Sequence, residues 1–68
     1  MLYYNQKGAI DNMYKLDIMY IDTNGELESL PCVLPAENRD ELMRVAEKYF
    51  DGTGIRGYFL GIQIDKRL

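Results

Sequence analysis

Histidine and tryptophan are absent from these 68 residues, cysteine occurs once and proline twice. Each shortage removes a class of chemistry. With no His and a single Cys there can be no zinc site of the usual Cys/His kind, and no imidazole to serve as acid or base. Cys32 cannot close an internal disulfide, and a free thiol fits a reducing compartment. Long apolar runs are missing as well. No uncharged stretch is longer than Ser29 to Ala36, which carries both prolines, so nothing here approaches the ~20 apolar residues that cross a bilayer. Met1-Leu2-Tyr3-Tyr4-Asn5-Gln6-Lys7 lacks the basic-then-apolar order of a signal peptide. A cytoplasmic protein is expected.

The composition that remains is that of a folded chain, with 47% hydrophobic and 28% charged residues. Eleven Asp+Glu against 8 Lys+Arg give a net charge of −3, which opposes non-specific adhesion to nucleic acid or to an anionic membrane. Residues 1–68 make one small domain, since domains commonly run to about 100–150 residues. A core of this size supplies no more than about 3–5 kcal/mol unless the chain also oligomerises.

Turn signals divide the chain. Met13 to Ile21 alternates apolar and polar residues and is rich in aromatic and β-branched types, as a strand requires. Asp22-Thr23-Asn24-Gly25 is a turn, and Glu26 to Leu34 is a second strand. A two-residue Asn24-Gly25 turn would set Tyr14, Leu16, Ile18 and Tyr20 against Pro35, Val33, Pro31 and Ser29. A three-residue loop of Thr23-Asn24-Gly25 pairs Asp22 with Glu26 instead, and sets Ile18 against Leu30, Leu16 against Cys32 and Tyr14 against Leu34. Only the second register gives one continuous apolar face. Asp at the first position and Gly at the fourth also suit a type I turn with a Gly bulge.

Asn38 is a good helix N-cap, with Glu41 placed as its capping-box partner. Leu42, Val45, Ala46, Tyr49 and Phe50 then form one apolar stripe, and Gly52 stands where a left-handed C-cap is wanted. Ile55 to Asp65 is the last strand, with Tyr58, Leu60, Ile62 and Ile64 on the core side and Phe59, Gly61 and Gln63 opposite. Pro31 cannot donate to a ladder, so strand two is an edge and strand three docks on the free side of strand one. The expected fold is a two-layer α+β domain, β-β-α-β, with a three-stranded antiparallel sheet in the order 2-1-3 under one helix. Asn5-Gln6-Lys7-Gly8 repeats the turn chemistry and points to a short extra N-terminal strand folding back on residues 9–12.

Catalytic constellations are poorly supplied. Asp40/Glu41 and Glu26/Glu28 are adjacent carboxylates, but they sit at a helix start and beside a turn, where solvated carboxylates are common. Cys32 falls on the core side of a strand, with no activating partner. The glycines at 52, 54, 57 and 61 lack the Gly-Lys-Ser/Thr of a phosphate loop, and Gly57 and Gly61 mark a bulge or a close approach of another chain. No catalytic, cofactor-binding or metal-binding residue is expected.

Arg56-Gly57-Tyr58-Phe59-Leu60-Gly61-Ile62 partly resembles the third-strand signature of RNA-recognition motifs, but only its first three positions match. Tyr58 also has core parity, whereas a base-stacking residue must be exposed.

One helix covers one side of a sheet. The other side carries Met19, Ile21, Leu27, Val33 and Phe59, an apolar cluster larger than scattered surface residues would make. Six Tyr and four Met suit adaptable contact surfaces, and Tyr20 joins the contact candidates, as do Glu26 and Glu28 on the acidic side. The sequence therefore points to a small non-enzymatic protein-binding or regulatory module acting through its exposed sheet face as a homodimer. The alternative is an acidic inhibitor of a nucleic-acid-binding complex, working as small acidic proteins of phage and mobile elements do, anti-CRISPR proteins among them. A nucleic-acid-binding domain using Arg56, Lys66 and Arg67 is a further, weaker alternative.

Overall fold

A computed structural model describes residues 12–68. The expected extra strand before them lies outside the described residues. Four elements follow in the order β1 (Met13–Asp22), β2 (Leu27–Pro35), α1 (Arg39–Thr53) and β3 (Gly57–Arg67). The strands make one antiparallel sheet in the order β2-β1-β3, with α1 on one side: an α+β fold.

The hairpin adopts the register that keeps the apolar face continuous. Ile18 lies opposite Leu30, Leu16 opposite Cys32 and Tyr14 opposite Leu34. The turn is held by two backbone bonds, Asp22 N–H to Glu26 O at 2.9 Å and Gly25 N–H to Asp22 O at 3.0 Å. Asp22 reinforces it, because its Oδ1 accepts from the amides of Asn24 and Glu26, both at 2.9 Å. Gly25 has φ +85°, a left-handed conformation that glycine adopts without steric cost. Pro31 sits on the edge strand β2, where a missing donor is tolerated.

Helix α1 begins where its cap dictates. Asn38 is extended, and its Oδ1 accepts from Glu41 N–H at 2.9 Å. The Glu41 carboxylate reaches back to the amide of Glu37 at 2.6 Å, one residue before the cap, so the capping box is displaced by one position. Asn12 ties the preceding connection down, its carbonyl accepting from Ala36 N–H and its side-chain amide donating to Glu37 O. At the other end the helix runs past Gly52, and Gly54, at φ +78°, is the left-handed cap. The expected stop at Gly52 is two residues early. Thr53 extends the last turn, its Oγ1 donating to Phe50 O at 2.7 Å and accepting from Ile55 N–H at 3.1 Å.

Tyr14, Leu16 and Ile18 of β1 pack with Leu34, Ala36, Leu42, Ala46 and Phe50 to form the core. Leu16, Ile18 and Leu42 are essentially inaccessible, each contributing roughly 1.5–3 kcal/mol by burial. Tyr49 is the one residue of the expected helical stripe that stays exposed, at 42%. A single helix rests on a narrow sheet along a narrow line, and Tyr49 falls beyond it.

β3 departs most from simple alternation. Its pairing with β1 shifts by one residue twice. Met19 is opposite Gly61 while Tyr20 is opposite Phe59, so Leu60 is an extra residue in a bulge. Lys15 is opposite Lys66 while Leu16 is opposite Ile64, which makes Asp65 a second one. The first bulge exchanges the two sides of the strand's beginning. Phe59 turns to the helix and packs on Phe50, ring centroids 5.9 Å apart. Tyr58 and Leu60, expected in the core, are 71% and 51% exposed.

Candidate functional site

The sheet side away from α1 follows from the register. Side chains alternate along a strand, so Lys15, Asp17, Met19 and Ile21 of β1 point opposite to the core residues Leu16 and Ile18. Across the ladder, Leu27 pairs with Ile21, Pro31 with Asp17 and Val33 with Lys15 on β2; on β3, Tyr58 pairs with Ile21 and Gln63 with Asp17.

The face is divided along the strand direction. Toward the hairpin turn lie Met19, Ile21, Leu27 and Tyr58, with Leu60 beside them in the bulge; Leu27 is 60% exposed. Toward the other end the row becomes polar. Lys15, Asp17, Gln63 and Lys66 occupy it, and Lys15 Nζ lies 3.8 Å from an Asp65 carboxylate oxygen. Val33, 47% exposed, is flanked there by charge. The apolar cluster is thus a compact half-face, not a continuous sheet surface.

Its size sets what it can hold. Three strands ~4.8 Å apart and half of a ten-residue strand rising ~3.3 Å per residue outline a patch of roughly 240 Å² in projection. A standard interface takes about 800 Å² of accessible surface from each partner. Contact through this patch alone belongs at the weak end of protein association.

The contact residues expected from sequence separate into three places. Met19, Ile21, Leu27 and Val33 share the open face. Tyr20 and Phe59 do not: both pack on the core from the helix side, and the Tyr20 and Phe50 rings are 5.1 Å apart. The expectation that Phe59 is exposed on the open face is corrected by the bulge at Leu60, and its place beside Ile21 is taken by Tyr58. Glu28 is opposite Tyr20 and Glu26 follows its parity, so both belong to the helix side of the hairpin end, not to the open face. There they approach Asp22, the three carboxylates lying within 4.8 Å of one another. Asp22 is already engaged in capping the turn.

Tyr58 and Leu60 are the surface residues that sequence reasoning placed elsewhere. Gly61 was the available signal, since an interior strand glycine is a mark of a bulge. Gly57 marks a close approach within the chain: a Cβ there would lie 2.6 Å from the Ile21 carbonyl oxygen.

Cys32 is half-buried against the core. Burial, and secondarily the negative charge of Asp17, pushes its thiol above its ordinary value, which disfavours the thiolate a nucleophile needs. No pocket is present among the described residues. No helix there is long and apolar enough to cross a membrane.

No protein-family model matches the chain, and comparison with curated proteins and with solved structures finds no match either.

Proposed function

We propose that the chain is a small non-enzymatic protein-binding module of the cytoplasm, docking through the hairpin half of its open sheet face and able to use a second copy of itself as partner. One observation carries this reading. Tyr58, Leu27 and Leu60 remain 71%, 60% and 51% exposed beside Met19 and Ile21, on a side of the sheet that α1 does not cover. Aromatic and aliphatic side chains gathered in one patch, with charged residues beyond it, have the composition of an interface centre and its rim.

The acidic-inhibitor reading keeps one supporting observation, the Asp22, Glu26 and Glu28 carboxylates gathered at the hairpin end. The nucleic-acid reading gains from Tyr58, whose exposed ring has the access that base stacking needs. It loses more, because the net charge of −3 opposes attraction to phosphate.

The test is sedimentation velocity and affinity capture from the host, with wild type and a Leu27→Asp/Tyr58→Asp variant. Both positions are exposed, so the variant should keep its circular dichroism spectrum. Self-association or captured proteins are expected with wild type and lost in the variant. Equal recovery by the two proteins would overturn the reading. Recovery that is abolished by salt and by Glu26→Gln/Glu28→Gln would transfer it to the acidic end.

A further inference from the structure

We draw no further inference here: the strongest candidate, the carboxylate cluster of Asp22, Glu26 and Glu28 at the hairpin end of the sheet, is an acidic cluster for which no second observation points to a ligand.

Discussion

Replacing Phe59 and Tyr58 by alanine, one at a time, should give opposite results although the two residues are neighbours. Truncating a fully buried Phe typically costs about 3–5 kcal/mol. Phe59 is half-buried and shares its contact with Phe50, an aromatic pair of a kind worth ~0.5–1.5 kcal/mol. A loss of about 2 kcal/mol follows, a large part of the ~3–5 kcal/mol that a domain of this size commands. Tyr58, 71% exposed, should change stability by no more than ~0.5 kcal/mol. Urea unfolding followed by far-ultraviolet circular dichroism reads both. With a slope near 1 kcal/mol per molar, Phe59→Ala should lower the midpoint by about 2 M and Tyr58→Ala should barely move it. The equivalent fall in Tm is roughly 8–16 °C. If Tyr58→Ala proved the damaging change and Phe59→Ala the silent one, β3 would alternate without its bulge. The open face would then carry Phe59 in place of Tyr58.

Three other outcomes follow from the same geometry. Gly57→Ala places a methyl 2.6 Å from the Ile21 carbonyl and 3.0 Å from the Tyr20 ring, so the strands must part, and a loss of ~1–3 kcal/mol in the same urea assay is expected. Asn38→Ala removes the acceptor for Glu41 N–H and should cost about 1 kcal/mol, with Asn38→Asp retaining most of the stability. Cys32 should react with iodoacetamide more slowly in the folded protein than in urea, and its reaction should accelerate only above the pH at which a free thiol ionises. The sign for stability agrees: the raised folded value makes the thiol's contribution intact below its ordinary value and lost as pH rises through the folded one.

The hairpin was legible because two independent signals agreed. Turn chemistry at Asp22 and Gly25 chose the loop length, and parity at Ile18, Leu30, Leu16 and Cys32 chose the same register. The helix start was legible for a similar reason, since Asn38 and Glu41 serve the cap whatever the helix packs on. Its end was not, because Gly52 and Gly54 both suit a left-handed cap, and the last turn is carried on to Gly54 by Thr53, whose Oγ1 bonds Phe50 O and Ile55 N–H. β3 fails in its first half for a sharper reason. Strict alternation carries an assignment outward from Ile62 and Ile64, and one unpaired residue at Leu60 reverses everything before it. The open face was thus anticipated in existence and in its β1 and β2 members. Its most exposed large hydrophobic residue, Tyr58, was not.

The proposed association uses the hairpin half of the open face and not the acidic edge. Its most direct test is a titration calorimetry comparison with the recovered partner, or by dilution for self-association. Wild type, Leu27→Asp/Tyr58→Asp and Glu26→Gln/Glu28→Gln would be measured at two salt concentrations. The face variant should lose at least about tenfold in affinity, some 1.4 kcal/mol, while the Gln variant should match wild type at both salts. Unchanged affinity in the face variant, with a loss in the Gln variant, would contradict it.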